Sequence, residues 1–227
     1  MTHPLDRPIW TSLATRQQPL GFGDDRARRF DPAYGVFAAA ADRSGESRAA
    51  LTALVREHGV AALVEAQPPD VPPDLAVASR AGLWQMAADP AELTIVTPDF
   101  AYEPLTDADG PEMLALATLT KPGPFFARTH ELGDFVGVKQ DGVLVAMAGE
   151  RLKPDGFTEV SGVCVHPDHR GHGYAAGLMS VVAERILARG ETPFLHVFDD
   201  NRPAIAIYER LGYRLRTEMI MLMVEPA

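Results

Sequence analysis

The chain has 227 residues, of which 46% are hydrophobic and 23% are charged, and its formal net charge is −10. This length and composition fit one large soluble domain or two small ones. The acidic balance argues against a general nucleic-acid binder, which needs clustered Lys and Arg, although a small anionic cofactor needs only a local ring of donors. The longest apolar runs are too short to cross a bilayer. Cys164 is the one cysteine, which excludes an internal disulfide and a Cys-based zinc site.

The first hundred residues have α/β character but carry no motif that we can assign. The segment 48–67 shows helical spacing and then a strand-like run, and the Pro-rich stretch 67–74 predicts a loop or linker. Residues 93–106 look extended. We therefore expect residues 1–99 to form an N-terminal α/β extension, or a decayed half, beside a functional domain at 100–227. The first ten residues do not resemble a secretory signal, so we expect a cytoplasmic protein.

Beyond residue 100 the pattern predicts a mixed sheet with helices on both faces. Asp109-Gly110-Pro111 marks a helix start, because Pro is tolerated in the first turn. An Asp-Gly pair inside 136–152 predicts a hairpin, and the valine-rich segment 157–165 predicts a central strand. The remaining predicted elements are a helix ending at Gly190, a strand at 193–198, a helix between the N-cap Asn201 and Gly212, and a closing strand at 218–224.

The loop after the central strand, HPDHRGHGYAAG at 166–177, fits two motifs. From Gly171 it spells G-x-G-x-x-A, close to a dinucleotide fingerprint. From Arg170 it spells R-x-x-G-x-A, typical of the phosphate loop of acyl-CoA-dependent acetyltransferases. The dinucleotide interpretation is disfavoured because polar residues separate the strand from the first glycine. In addition, too few residues follow Asp199 to complete a doubly wound sheet.

The acyl-CoA interpretation has a direct physical basis in this loop. Unpaired backbone N–H groups at the start of the following helix carry the positive end of its dipole, so they bind a diphosphate. Gly171 and Gly173 let the backbone approach the phosphates without a Cβ in the way. Ala175 keeps the helix start slim, and Arg170 adds charge-assisted contacts or braces the loop.

These residues carry a resemblance to a known family. VCVHPDHRGHGYAAGLM, followed by NRPAIAIYERLGYRL, resembles the two cofactor-binding motifs of the GNAT acetyltransferase superfamily, and the resemblance covers roughly residues 100–226. It implies an α/β, GNAT-like acyl-CoA-binding fold and an enzyme that transfers an acetyl group from acetyl-CoA directly to the amine of a small-molecule acceptor. The alternatives are a non-catalytic acyl-CoA-binding module and a protein or peptide N-acetyltransferase.

The resemblance also implies a cofactor site between two strands that splay apart. Backbone groups of Val163 and Val165 would pair with the pantetheine arm, and the N–H near Val165 would polarise the thioester carbonyl. The loop amides would hold the diphosphate. The implied cofactor-binding residues are Val163, Cys164, Val165, Arg170, Gly171, His172, Gly173, Tyr174, Ala175, Asn201 and Tyr208.

Two catalytic roles and an acceptor pocket follow from the same resemblance. Tyr208 matches the family tyrosine that protonates the leaving thiolate, with core packing as the alternative. Glu159, early on the central strand, is the first candidate for the general base, and Glu150 is the second. Phe125 and Phe126 lie in the segment that shapes the acceptor pocket in related proteins, and ordinary packing is the alternative there.

No metal is expected, although His166, His169 and His172 are spaced by three. They lie in a loop rather than on one helical face, and two of them flank phosphate-binding positions. Cys164, within a valine-rich strand, is expected to be a small buried apolar residue rather than a nucleophile. The expected partners are acetyl-CoA and an unidentified amine, with no nucleic acid and no membrane. Homodimers are common among relatives, and the sequence leaves the oligomeric state open.

Overall fold

The computed structural model describes residues 3–227, which fold into five α-helices and eleven strands. The α-helices are α1 (Pro8–Ala14), α2 (Gly45–His58), α3 (Gly110–Thr120), α4 (Tyr174–Ala188) and α5 (Arg202–Arg210). The strands are β1 (Gly21–Gly23), β2 (Ala27–Phe30), β3 (Ala38–Ala40), β4 (Ala61–Glu65), β5 (Leu75–Ala88), β6 (Glu103–Leu105), β7 (Phe135–Gln140), β8 (Val143–Glu150), β9 (Phe157–Val165), β10 (Thr192–Phe198) and β11 (Tyr213–Pro226). Within this described range, no helix is long and apolar enough to cross a membrane.

The main sheet has eight strands in the order β4-β11-β5-β10-β9-β8-β7-β6, and β1, β2 and β3 form a separate small sheet. In the main sheet β9 and β10 run parallel, and the other neighbours run antiparallel. Helices cover both faces of this sheet. The predicted mixed sheet, with the strand at 157–165 in its interior, is therefore confirmed.

Strand β5 comes from the first hundred residues and lies between β10 and β11. It pairs with β10 from Leu83 to Ala87 and with β11 along its whole length. Its side chains are buried on both faces near its C-terminal end, as expected for an interior strand. With β4 pairing to β11 as well, residues 1–99 contribute two strands to the same sheet as residues 100–227.

The two faces of the sheet hold separate cores. Helices α4 and α5 pack on one face, around Met86, Leu178, Leu195, Ile205 and Tyr213. Helices α1 and α3 pack on the other face. Because side chains alternate along a strand, each strand contributes every second residue to this core and the residues between them to the first core. Residues that pack with α1 include Leu83, Phe194 and Met219, and those that pack with α3 include Phe135, Met147 and Cys164.

Local turn and strand predictions are confirmed in part. The hairpin turn falls at Asp141 and Gly142, both with positive φ (51° and 81°), as a two-residue turn requires. The segment predicted to be extended at 93–106 contains a strand only at its end, β6. Its earlier N–H groups bond elsewhere, since Val96 N donates to the Ser180 hydroxyl, so this part of the segment joins no strand.

Candidate active site

Strands β9 and β10 separate soon after they meet. Their parallel pairing is limited to three residues of each strand, Phe157–Glu159 on β9 and Thr192–Phe194 on β10. Beyond these residues the two strands diverge and leave a cleft that passes through the sheet. Residues of β9, β10 and α5 line it, among them Ser161, Gly162, Val163, Val197, Phe198, Asn201 and Tyr208.

A β-bulge at Gly162 determines which backbone groups face this cleft. Gly162 has a φ of 63°, and the β8–β9 register shifts beside it. The N–H of Glu159 before the bulge and the N–H of His166 after it both bond to carbonyls on the β8 side of β9. Because hydrogen-bonding direction alternates along a strand, the N–H and C=O groups of Val163 and Val165 point into the cleft. Without the extra residue they would point to β8.

The loop between β9 and α4 presents an uncapped helix start. Gly171 and Gly173 have φ values of 84° and 73°, and a Cβ at either position would meet nothing within 4 Å. The first bond of the helix runs from Gly177 N to Gly173 O, so the N–H groups of Tyr174 and Ala175 have no helical acceptor. No side chain of the described residues caps this helix. The positive end of α4 therefore opens onto free space, which suits an anion.

Two side chains of the loop are committed to packing. The His172 ring stacks on Tyr174 with centroids 5.5 Å apart, and its Nδ1 lies 3.1 Å from the carbonyl oxygen of His169. The Tyr174 ring is buried, and its hydroxyl accepts from Gln140 Nε2. The Arg170 side chain is exposed. Anion contacts at this loop are therefore left to backbone amides and to Arg170.

Tyr208 and Asn201 bring α5 to the cleft wall. Burial, together with the nearby Cys164 thiol, raises the pKa of Tyr208 to about 12. Its hydroxyl therefore keeps its proton at neutral pH and is able to donate it. Asn201 is the N-cap of α5, and its Oδ1 accepts from Ala204 N at 3.4 Å. Both residues lie on the side of the cleft that α5 covers, and their roles toward a cofactor stay predictions.

Cys164 packs with Met113 and Met147 under α3 rather than facing the cleft. Burial raises the pKa of its thiol to about 12. A thiol in this state is a poor nucleophile, so the side chain acts as a small apolar residue, as its strand context predicts.

Glu159 is fully buried at the point where β9 and β10 part. Its oxygens accept from Arg151 Nε and Nη2, both at 2.8 Å, and lie 2.8 Å from His196 Nδ1. Burial favours the protonated acid, but the charge of Arg151 and these hydrogen bonds outweigh it and lower the pKa to about 2. The carboxylate is ionised and its oxygens are occupied. The general-base role of Glu159 stays a prediction.

Sequence reasoning missed the polar chain that continues from His196. Arg216 donates from Nε to the side-chain oxygen of Gln85, which leaves the Gln85 Nε2 group to face Leu5 O at 2.8 Å and His196 Nε2 at 3.0 Å. Since arginine only donates, this bond sets the orientation of the Gln85 amide. His196 Nε2 must then accept, so the ring proton lies on Nδ1 and points to Glu159. These residues are far apart in sequence, and no local motif signals them.

Glu150 does not line the cleft. It is buried, and ion pairs join it to Arg189 at 2.7 Å and to Lys153 at 2.9 Å. It stands opposite Val160 in the β8–β9 pair and therefore faces α4, whereas Glu159 faces the other side of the sheet. Its predicted role as the second candidate for the general base, in contact with the acceptor, stays untested.

Phe125 lies beside the bulge, while Phe126 helps to order the following turn. The Phe125 ring meets Phe135 edge to face at 5.9 Å, and a Cβ on Gly162 would lie 3.6 Å from it. Phe126 donates its backbone N–H to the Thr129 hydroxyl at 2.7 Å. The adjacent Pro122, Gly123 and Pro124 line the cleft directly.

The N-terminal part of the chain closes the end of the cleft on the α1 and α3 face. Apolar side chains from α1, the segment before β3, β4, β5 and β11 form this wall: Ile9, Phe37, Val64, Leu83 and Met221. Arg151, His196 and Tyr208 are the charged or titratable side chains that line the same cavity within residues 3–227. We call this region the acceptor end.

Comparison with known proteins agrees with this geometry. The family model described as "FR47-like protein" matches residues 135–222. The crystal structure of a protein described as a GNAT-family acetyltransferase from Novosphingobium aromaticivorans is 42% identical, covers 100% of both chains and has a TM-score of 0.90. A GCN5-related N-acetyltransferase from Kribbella flavida is 22% identical, covers 96% of each chain and shares the fold with a TM-score of 0.64.

The curated relatives match a shorter segment. An acetyltransferase of Sodalis glossinidius is 39% identical over 59 residues, which are 26% of this chain and 42% of that protein. The match thus spans under half the length of that relative. Taken together, the fold and the cleft define a protein of the N-acetyltransferase class. The whole-length identity to the Novosphingobium protein shows that the chain belongs to the GNAT family of acetyltransferases.

Proposed function

We propose that this chain transfers the acetyl group of acetyl-CoA to the amine of a small-molecule acceptor. One observation carries the proposal. Tyr208 lines a cleft between diverging strands, and β9, which forms one wall of that cleft, leads through a short loop to the uncapped start of α4. The start of α4 suits a diphosphate, and the Tyr208 hydroxyl suits a leaving thiolate.

The residues present fit the nucleotide end of this cosubstrate. Amides from Gly171 to Ala175 are available for the diphosphate, and a phosphate can approach closely because a Cβ on either glycine of the loop would meet only open space. Arg170 adds a positive charge, and Asn201 lies at the N-terminal end of α5. Along the cleft, the inward-facing groups of Val163 and Val165 are the donors and acceptors that an amide-containing arm needs.

Two groups of the chain support the transfer itself. In this proposal the N–H near Val165 stabilises negative charge that develops on the thioester oxygen. The Tyr208 hydroxyl, which is protonated at neutral pH, supplies a proton to the departing sulfur. The buried thiol of Cys164 takes no part, since the amine attacks directly.

The proton that the amine loses requires an acceptor. Glu159 lies where β9 and β10 part, but its oxygens already accept from Arg151 and His196. Glu150 faces the opposite side of the sheet. We therefore propose that cleft water takes this proton and that Glu159 acts by holding Arg151 in place.

The closed acceptor end favours a small acceptor over a protein chain. Side chains from α1, β4 and β5 meet there, including Ile9, Val64 and Leu83, and they form a hydrocarbon wall at this end of the cleft. A peptide backbone needs hydrogen-bonding partners along its length, which this wall does not offer.

Isothermal titration with acetyl-CoA, with NADH as a parallel control, tests the proposal. We expect heat with acetyl-CoA alone, followed by thiol release when amines are added. Heat with NADH alone would assign the loop to a dinucleotide. Binding of acetyl-CoA without turnover of any amine would leave a non-catalytic acyl-CoA-binding module.

A further inference from the structure

At the acceptor end, some N–H donors of the Arg151 guanidinium have no hydrogen-bond partner among the described residues. Its Nε and one N–H of Nη2 bind Glu159, and its guanidinium stacks over Phe37 at 4.9 Å from the ring centre. Nη1 and the second N–H of Nη2 have no hydrogen-bond partner among residues 3–227. The side chain lines the cleft and keeps 11% of its surface exposed. An arginine held on one edge and free on the other is suited to bind a second carboxylate.

The surroundings of that free edge are apolar. Ile9, Val64 and Leu83 face the same cavity, together with Met221 from the neighbouring strand. Both ring nitrogens of His196 are already engaged, one by Gln85 and the other by Glu159, so the ring has no donor left for a ligand. Glu159, the carboxylate bonded to Arg151, has its oxygens occupied by Arg151 and His196. Among the described residues that line the cavity, Arg151 therefore offers one cationic donor edge beside a hydrocarbon wall, and none of these lining residues is a carboxylate.

We propose that the acceptor is an α-amino acid with an apolar side chain, whose carboxylate binds the free edge of Arg151. This inference rests on the proposed function and names its substrate class. The apolar wall receives the side chain, and the carboxylate on Arg151 directs the amine along the cleft toward Tyr208. Glu159 and Gln85 act as positioning residues, because they fix Arg151 and His196 without touching the acceptor.

The transfer balances with these groups alone. The amine lone pair forms a C–N bond to the thioester carbon, the C–S bond breaks, and the electron pair leaves on sulfur. Tyr208 protonates that sulfur, and the proton lost by the amine returns to the tyrosine through water. The products are an N-acetyl amino acid, with its carboxylate unchanged, and CoA as the thiol.

Matched pairs of acceptors test the inference on the unaltered protein. Leucine, methionine and phenylalanine are compared with isoamylamine, 3-(methylthio)propylamine and phenethylamine, which lack only the carboxylate. Thiol release is recorded with saturating acetyl-CoA. We expect kcat/KM to be at least about 10²-fold higher for each amino acid, because a buried donor without its partner is costly.

A double variant asks whether Arg151 causes the preference. Arg151→Met with Glu159→Gln removes both charges, so that no unpaired charge stays buried. We expect this variant to lose the preference for amino acids over amines. The matched control is Arg128→Met with Glu131→Gln. That arginine also pairs with a carboxylate in two bonds and stacks on a ring, Tyr34, but it lies outside the cleft lining. The control should keep the preference.

The outcomes separate this inference from the proposed function. Equal or faster turnover of the amines would overturn the carboxylate site and leave the acetyltransferase proposal intact. Binding of acetyl-CoA with no turnover of any amino acid would also overturn the inference. A folded chain that does not bind acetyl-CoA would instead refute the proposed function itself.

Discussion

His196 donates its Nδ1–H to Glu159 across 2.8 Å, close to the point where β9 and β10 part. Gln85 occupies the other ring nitrogen, so both nitrogens have partners and the imidazole is held in one orientation. The result is a buried array with one negative group, Glu159, and one positive group, Arg151, bonded to each other. Such an array gives the floor of the cleft a defined geometry, because each member fixes the next.

Ionisation of Glu159 should make stability depend on pH. Its pKa is lowered to about 2 in the folded chain, below its usual value of 4.5, so its contribution is complete above pH 4.5 and is lost as the pH falls towards 2. Denaturant unfolding across this range checks the window. Glu159→Gln should lower the free energy of unfolding at pH 7 by roughly 3 kcal/mol, because Arg151 loses its buried partner. Glu131→Gln, on a partly exposed pair, should change it little.

Tyr208→Phe should lower kcat by roughly 10²-fold and leave the affinity for acetyl-CoA nearly unchanged, since only the proton donor is removed. Tyr213→Phe is the matched control. Its ring lies 6.5 Å from Tyr208, and its buried hydroxyl has no hydrogen-bond partner among the described residues. That variant should keep its activity and gain stability of about 1 kcal/mol. A fully active Tyr208→Phe protein would return the tyrosine to a packing role.

Gly173→Asp should weaken acetyl-CoA binding by at least roughly 10²-fold while the protein stays folded. The new carboxylate would occupy the N-cap of α4 and satisfy the N–H groups that we assign to the diphosphate. Gly190→Asp places the same residue at a similar φ, 75°, beyond the other end of the helix. Titration calorimetry should show normal affinity for this control, despite some loss of stability. Equal effects of both variants would mean that backbone strain, not the site, explains the loss.

Residues 100–227 should not fold without β5. Strands β10 and β11 both pair with it and have no pairing with each other, so the isolated fragment lacks the middle of its sheet. The complementary experiment uses the whole chain, with a protease site placed in the exposed turn at 89–92. After cleavage, the two pieces should stay together on size-exclusion chromatography and separate only in denaturant. A soluble, cooperatively folded 100–227 fragment would contradict this expectation.

Much of the second half of the fold could be predicted because its signals are local. The Asp-Gly turn, the valine-rich strand and the caps of α5 each depend on residues close in sequence. The cleft loop belongs to the same group, since Gly171 and Gly173 mark it directly. By contrast, residues 78–90 are ambiguous in sequence, and their place within the sheet depends on partners more than one hundred positions later.

The acceptor end could not be predicted for a related reason. Arg151, Gln85 and His196 are ordinary residues in their own segments, and only the arrangement of β5, β9 and β10 brings them together. Buried polar networks of this kind leave no periodic signal, because their members come from different elements. The bulge at Gly162 also has no local sequence signal, although it determines which backbone groups of β9 face the cleft.

The position of β5 also has a consequence for the order in which the protein is made. A ribosome finishes β5 more than one hundred residues before the partners that flank it, β10 and β11, have been synthesised. Until then this strand has two unpaired edges, which are prone to non-native pairing. Completion of the sheet waits for residues 192–226, so β5 must be protected while more than one hundred further residues are translated. Cells that make this protein should therefore depend on chaperones for its yield more than its modest size suggests, and slower translation of the last strands should lower the soluble fraction.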